Sequence, residues 1–243
     1  MTSKARRGET DVKRAETLVT VPQALELEGI TGAFAAAGYS GMRINVGRQE
    51  CQRFEELGML VAVCGHGKAQ HAVQTQHLID QSATVRAVMC VGAAGGLDPA
   101  LKVGNVVVGV TTVEHDYTLR FIQRPLPCHR ADVDLVRELM RAADRVAGDF
   151  AVRFGPIASG DEDVIDPARA GELLAATGAL CVAWEGAGAA RAACFSGVPF
   201  VEVRALTDAA DATAAADFRA NLSRSMPNLA RLLLAWSACR LVG

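Results

Sequence analysis

Short apolar runs alternate with longer segments whose apolar residues recur at helical spacing along most of the 243-residue chain. The runs that predict β-strands occupy residues 17–21, 42–46, 59–64, 87–91, 105–112, 152–158, 179–182 and 199–204. The segments that predict helices occupy residues 24–37, 69–81, 132–147, 168–177, 186–196 and 218–242. This alternation indicates the α/β fold class, with a mixed central β-sheet surrounded by helices in a single domain.

The chain shows no internal repeat and no linker rich in Pro, Gly or Ser, so we predict one domain over residues 17–243. The first 16 residues, MTSKARRGETDVKRAE, contain basic residues but no apolar segment after them. We therefore interpret residues 1–16 as a flexible, solvated tail rather than a secretory signal.

Composition excludes several classes of function. The net charge of -2 and the pI near 6.2 provide no basic surface for nucleic acid or an anionic membrane. No apolar run reaches the roughly 20 residues that span a bilayer. The seven cysteines are scattered without a CxxC pair, which disfavours a zinc site or a disulfide framework. We expect a cytoplasmic protein that binds neither nucleic acid nor membranes.

Three glycine-rich segments follow predicted strands, and we interpret them as turns. They are GHGK at 65–68, GAAGG at 92–96 and SGD at 159–161. Glycine lets the backbone approach a ligand closely, but the same glycines also fit tight turns without a ligand. Neither GxxxxGK[ST] nor GxGxxG is present, so the signatures of ATP and dinucleotide binding are missing.

Two acids stand just past predicted strands. Glu185 follows the strand at 179–182, and Asp208 follows the strand at 199–204 together with Arg204. A carboxyl group in a half-buried site can hold or donate a proton near neutral pH, because burial raises its pKa. The alternative is that each acid only caps the segment after it. The pattern by itself leaves both interpretations open.

The histidines and serines offer little other chemistry. His66, His71 and His77 are spaced by five and six residues, which does not favour a metal site. His115 and Asp116 fit a structural hydrogen-bonding pair better than a catalytic dyad. Ser159 lacks the GxSxG pattern of acyl-transfer enzymes.

Several motifs occur in a fixed order over residues 64–211: GHGK, VGAAGGLDPALKVGNVVV, EHD, SGD, VAWEGAG and RALTDAAD. In this order they resemble the 5'-methylthioadenosine/S-adenosylhomocysteine nucleosidases and, more broadly, the nucleoside phosphorylases. The usual forms there are GxGK, GSAGGL…KVGD, HD, SGD, VEMEA and RAxSD. The resemblance covers roughly residues 17–240. It implies a nucleoside phosphorylase-like fold, a homodimer, and neither an organic cofactor nor a metal.

The resemblance also implies roles for individual residues. Asp208 would protonate N7 of the purine, and Glu26 would position the attacking water, with Glu28 as the fallback. Glu185 would hold the ribose hydroxyls. The other residues expected to contact or orient the substrate are Gly92, Ala93, Asp163, Val164, Trp184, Arg204 and Thr207.

Two departures from the family pattern concern specificity. VEMEA reads VAWEG at 182–186, so that one acid is replaced by Ala183 and Met by Trp184. The aromatic residue two positions after SGD is Asp163, and a carboxylate cannot stack on adenine. We therefore expect preferences for base and 5'-substituent that differ from those of an ordinary member.

The resulting hypothesis is hydrolysis of the N-glycosidic bond of a purine nucleoside, with 5'-methylthioadenosine or S-adenosylhomocysteine as the leading substrates. Cys90 and Ala93 stand where phosphorylases present an Arg and a Ser or Thr to phosphate, which favours water as the nucleophile. A phosphorolytic purine nucleoside phosphorylase and a non-catalytic nucleoside-binding protein on the same fold are the alternatives.

Overall fold

The computed structural model describes residues 16–146, 148 and 150–241. Within these residues the strands are β1 (Glu16–Val21), β2 (Met42–Val46), β3 (Gln49–Phe54), β4 (Met59–Val63), β5 (Val85–Gly96), β6 (Val106–Glu114), β7 (Cys128–Arg130), β8 (Val152–Ser159), β9 (Cys181–Ala183) and β10 (Phe200–Asp208). The helices are α1 (Ala24–Ala36), α2 (Gly67–Gln81), α3 (Val133–Ala143), α4 (Pro167–Thr177), α5 (Gly186–Phe195) and α6 (Ala214–Leu241).

The strands form one mixed sheet that is open on one side and closed on the other. β1 pairs in parallel with both β4 and β5, and β3 and β2 extend the open side as antiparallel strands. On the other side β5 pairs with β10, β10 with β6, β6 with β8, β8 with β9, and β9 again with β5. These five strands form a closed ring. The predicted fold class, a single α/β domain with a mixed central sheet, is confirmed.

Helices cover both faces of the sheet, and β5 shows why. Its residues Met89 and Val91 belong to the core cluster that contains α1, α3 and α6, whereas Val88 and Cys90 belong to the cluster with α2 and α5. Successive side chains of a strand point to opposite faces, so a strand covered on both sides is apolar throughout. The run AVMCV satisfies this condition. None of the helices in the described ranges is long and apolar enough to cross a membrane.

The structure corrects one predicted turn. Residues 92–96 are not a turn but the second half of β5, which continues to Gly96. Gly95 pairs with Asp208 on one side and with Val182 on the other, so neighbouring backbones hold this segment extended. A Cβ at Gly95 would lie 2.8 Å from Asp208 Oδ1. The glycines serve close packing of strands at this point.

Other differences concern polar or short elements. β3 and β7 were not predicted, because QECQRF is largely polar and CHR has only three residues. α6 begins at Ala214, four residues before its predicted start. α3 ends at Ala143, and residue 147, its predicted last residue, lies outside the described residues, as do residues 1–15 of the predicted tail. Residue 16 was assigned to that tail, but Glu16 pairs with Val85 as the first residue of β1.

Candidate active site

A cleft of about 590 Å³ opens where several strands end. Segments that follow β1, β4 and β8 line it, together with the last residues of β5, β9 and β10 and the first turn of α6. The residues predicted from the sequence that line this cleft are Glu26, Ala93, Asp163, Val164, Trp184, Glu185, Thr207 and Asp208. Gly92 and Arg204 lie directly behind it, since a Cβ at Gly92 would meet both Glu26 Oε1 and Arg204 Nη1.

Asp208 is the last residue of β10, and its carboxyl group is held by two donors. Thr207 Oγ1 donates to Oδ2 at 2.8 Å, and the Ala210 amide donates to Oδ1 at 3.0 Å. Burial raises the pKa of Asp208, and these two hydrogen bonds offset only part of that effect. The carboxyl group can therefore carry a proton closer to neutral pH than an exposed aspartic acid.

Glu26 lies in the first turn of α1 and is buried. Its Oε2 accepts the Gln23 amide at 3.1 Å, and its Oε1 accepts the Ala93 amide at 2.6 Å. Burial raises its pKa to about 7, although the Ala93 hydrogen bond opposes the shift. A Cβ at position 92 would lie 2.7 Å from Oε1, so only glycine lets β5 pass this close. Glu28, the predicted fallback, is exposed on the same helix and does not line the cleft.

Glu185 is almost fully buried at the start of α5. Arg204 Nη2 donates to its Oε2 at 3.3 Å, and the Gly67 amide donates to its Oε1 at 3.3 Å. Burial by itself would raise the pKa of Glu185, but the His66 hydrogen bond and the Arg204 charge hold it at about 2. Its side chain makes no capping bond to its own helix. The capping alternative therefore does not explain Glu185.

His66 and Glu202 are two polar residues of this region that were not among the predicted site residues. His66 lines the cleft, with its Nδ1 3.4 Å from Glu185 Oε1 and its ring packed edge-on against Trp184. The Glu185 hydrogen bond raises the pKa of His66. Glu202 is fully buried and pairs with Arg204 at 2.8 Å. The signal for Glu202 was its position two residues before Arg204, because alternate residues of a strand share a face.

A second group of charges fixes the loops around the cleft. Lys68 pairs with Glu114 at 3.0 Å and with Asp116. Arg191 also pairs with Glu114, and the Lys68 amide donates to Asp161 Oδ1 at 2.8 Å. These contacts join the three motifs GHGK, EHD and SGD. Asp116 thus has a structural role, but the predicted hydrogen bond between His115 and Asp116 is not formed, because Asp116 accepts from Lys68 and the Asp161 amide instead.

The remaining histidines lie away from the chemistry of the cleft. His115 is buried and lines no part of it, with Nδ1 3.5 Å from Glu162 Oε2. His71 contacts the Gly65 carbonyl and Thr20 Oγ1, and burial lowers its pKa to about 4. Over the part of the chain that the structure describes, no three His, Cys, Asp or Glu side chains are grouped as metal ligands.

A closed ring of strands with buried, proton-holding carboxyl groups around a cleft defines an α/β protein equipped for acid–base chemistry on a small ligand. The chain belongs to the phosphorylase superfamily, whose family model matches residues 32–237. The predicted superfamily membership is thereby confirmed.

Individual relatives are nucleosidases. The chain is 34% identical over 190 residues to the 5'-methylthioadenosine/S-adenosylhomocysteine nucleosidase of Geobacillus kaustophilus, covering 75% of this chain and 80% of the relative. It is 31% identical over 180 residues to the aminodeoxyfutalosine nucleosidase of Helicobacter pylori, covering 72% and 78%. It also resembles the structure of the Neisseria meningitidis 5'-methylthioadenosine/S-adenosylhomocysteine nucleosidase in complex with methylthio-immucillin-A, with a TM-score of 0.79, 30% identity and coverage of 91% and 97%.

Proposed function

We propose that the protein hydrolyses the N-glycosidic bond of a purine nucleoside, with 5'-methylthioadenosine or S-adenosylhomocysteine as its substrates. The enzyme is an N-glycosidase of the same class as its relatives. The observation that carries the proposal is that one cleft is lined by two carboxyl groups, Asp208 and Glu26, whose pKa values burial raises.

Asp208 supplies the acid. A purine that leaves as an anion is a poor leaving group, and protonation at N7 makes it neutral. One well-placed general acid contributes on the order of 10²–10⁴ in rate. Thr207 and the Ala210 amide bind the two carboxyl oxygens and so hold the group in one orientation.

Glu26 supplies the base. Its pKa of about 7 lets it accept a proton from water as that water attacks C1' of the ribosyl cation-like transition state. The Gln23 and Ala93 amides hold both carboxylate oxygens, so the group needs little reorganisation during the reaction.

Glu185 and Trp184 bind the sugar. With a pKa of about 2, Glu185 is ionised at neutral pH and accepts hydrogen bonds from the ribose hydroxyls. Trp184 is half-buried beside it and packs beneath the ring, while Val164 offers its backbone to the base edge. These contacts position C1' between the acid and the base.

Water is the nucleophile because the site repels phosphate. Ala93 has no hydroxyl group, and its amide already donates to Glu26. Cys90 is buried, with its Sγ 3.4 Å from Arg204 Nη2, and a thiol brings no positive charge to a phosphate. A phosphate dianion beside Glu26 would be buried against a like charge, which costs several kcal/mol. Arg43 and Arg48 are exposed and do not line the cleft.

The protein works as a cytoplasmic homodimer. Val73 on α2 and Phe195 on α5 are 70% and 85% exposed, on two helices that pack against each other. Phe121 and Ile122, in the segment between β6 and β7, are also exposed. Contiguous exposed apolar patches mark association surfaces, and we assign Val73 and Phe195 to such a patch because their helices are neighbours. Sedimentation of the protein and of Phe195→Asp tests this, because a monomeric wild-type protein would contradict it.

A screen for released base tests the proposed activity. Purified protein is incubated with 5'-methylthioadenosine, S-adenosylhomocysteine, aminodeoxyfutalosine, adenosine, inosine and guanosine, and free base is quantified by chromatography. We expect adenine from the two 5'-thio nucleosides at the highest kcat/KM. Binding without release of any base would instead indicate the non-catalytic alternative.

A further inference from the structure

Glu202 is a fully buried acid inside the closed ring of strands. Both of its carboxylate oxygens have partners: Arg204 Nε donates to Oε1 at 2.8 Å, and Thr112 Oγ1 donates to Oε2 at 2.6 Å. Gly186 packs against the carboxylate so closely that a Cβ at that position would collide with it. Three elements, β10, β6 and the start of α5, thus hold one negative charge in place.

Arg204 connects this charge to the cleft. Its Nη2 donates to Glu185 Oε2 at 3.3 Å, and its Nη1 donates to the Ala93 carbonyl at 3.4 Å. Glu202 itself does not line the cleft. Any effect of Glu202 on the substrate therefore passes through Arg204, whose guanidinium group is shared by Glu202 on one side and Glu185 on the other.

The charge balance around Arg204 matters for Glu26. The charged groups that act on Glu26 are Glu185, Arg204 and His66, and a Cβ at Gly92 would touch both Glu26 Oε1 and Arg204 Nη1. Arg204 alone would favour the ionised form of Glu26. Glu202 adds one negative charge to the cluster of Arg204, Glu185 and His66. That negative charge favours the protonated form of Glu26, and a general base must become protonated when it accepts a proton.

We propose that Glu202 is a positioning residue that aims Arg204 at Glu185 and offsets the Arg204 charge, so that Glu26 can accept a proton during hydrolysis. The VEMEA pattern has an acid at position 183, where this chain has alanine. Glu202 brings a carboxylate into the ring from β10 instead of from β9. The inference rests on the proposed hydrolase function and on Glu26 as its base.

The test is the pH profile of Glu202→Gln, measured as kcat and KM for 5'-methylthioadenosine between pH 5 and 9. Glutamine keeps the size of the side chain but removes its charge, so the cluster becomes less negative and the Glu26 carboxylate is favoured. The acid limb of the kcat–pH profile should then shift to lower pH by about one unit. KM should rise about tenfold, because Arg204 loses its fixed orientation toward Glu185.

Glu16→Gln is the matched control. Glu16 is also a buried glutamate that accepts from an arginine, Arg53, and from a threonine, Thr84. It lies at the amino end of β1 and does not line the cleft. This variant should lose stability in the way that Glu202→Gln does, but its acid limb and KM should stay at the wild-type values.

Two further variants keep the test decisive if Glu202→Gln does not fold. Glu202→Asp retains the charge, so its acid limb should stay in place while KM rises. Thr112→Val removes the hydroxyl donor to Oε2 and should also raise KM. Wild-type KM in both variants would overturn the proposal, as would an unshifted acid limb in a folded Glu202→Gln protein. Absence of base release by the wild-type enzyme would instead reject the proposed function itself.

Discussion

Burial raises the pKa of both Asp208 and Glu26, but the groups that surround the two carboxyl groups differ. Asp208 keeps hydrogen bonds from a hydroxyl group and an amide, whereas Glu26 is held by two amides and lies near both Glu185 and Arg204. The pKa of both carboxyl groups is raised, while that of Glu185 is lowered by His66 and Arg204. Neighbouring acids with opposite shifts are typical of sites that divide proton transfer from ligand binding.

Asp208→Asn should lower kcat for 5'-methylthioadenosine by at least about 10², because the amide keeps the size of the group but cannot deliver a proton. The dissociation constant of the substrate should change far less, since the interaction strengthens only as charge builds on the base. Asp134→Asn, on the surface of α3 and outside the cleft, is the control. Near-normal turnover of Asp208→Asn would reject Asp208 as the acid.

Glu26→Gln should change how stability depends on pH. The pKa of Glu26 is about 7 in the folded protein and near 4.5 in the unfolded chain. The folded protein therefore binds the extra proton between pH 4.5 and 7, and its stability falls as pH rises through this window. Above pH 7 the wild-type protein has lost on the order of 3 kcal/mol that the variant does not lose.

Urea unfolding of Glu26→Gln and the wild-type protein at pH 5 and pH 8 measures this difference. The exposed Glu28, two residues further along α1, provides the control variant Glu28→Gln. Equal pH dependence in all three proteins would mean that Glu26 titrates normally, and its role as the base would then fail.

At the scale of elements, the hydrophobic pattern predicted the buried strands β1 and β4 and also the largely exposed strand β2. β2 has its predicted limits, and β1 and β4 differ from theirs by one residue. β3 escaped prediction because its partners, not its own apolar content, make it a strand. The glycines of β5 escaped it because local propensity favours a turn, while pairing with β9 and β10 decides otherwise.

The same distinction holds for the candidate site. The order of the sequence motifs predicted Asp208, Glu185 and Arg204 as site residues. The fold places all three at or directly behind the same cleft. Glu202 contacts Thr112 across 90 residues of sequence, and His66 contacts Glu185, which is more distant still along the chain. A local pattern does not encode such contacts, so three-dimensional pairing was needed to find them.

We predict that the segment after β8 controls base preference. Asp163 is exposed on it and lines the cleft next to the buried Val164. Asp163→Phe should lower KM for 5'-methylthioadenosine about threefold to tenfold, because an aromatic ring can stack on adenine. Asp134→Phe, on the surface of α3, is the control. An unchanged KM would show that the Asp163 side chain faces water.

At the scale of the whole molecule, the two halves of the sheet contribute different residues to the cleft. The open side, β1 to β4, packs under α1 and α2 and presents Glu26 and His66 from the segments that follow its strands. The closed ring supplies Asp208, Glu185 and the buried pair of Arg204 and Glu202. The proposed base and the proposed acid thus come from different halves, which β5 joins by pairing with β1 and with β10.

The phosphate dependence of base release tests the central claim most directly. Adenine release from 5'-methylthioadenosine is measured in phosphate-free buffer and again with millimolar phosphate, and the sugar product is identified by mass spectrometry. We expect equal rates in both buffers and free 5-methylthioribose as the product, because the Ala93 amide donates to Glu26 and is not free to bind phosphate. A strict requirement for phosphate, with a sugar 1-phosphate as product, would contradict hydrolysis and establish a phosphorylase.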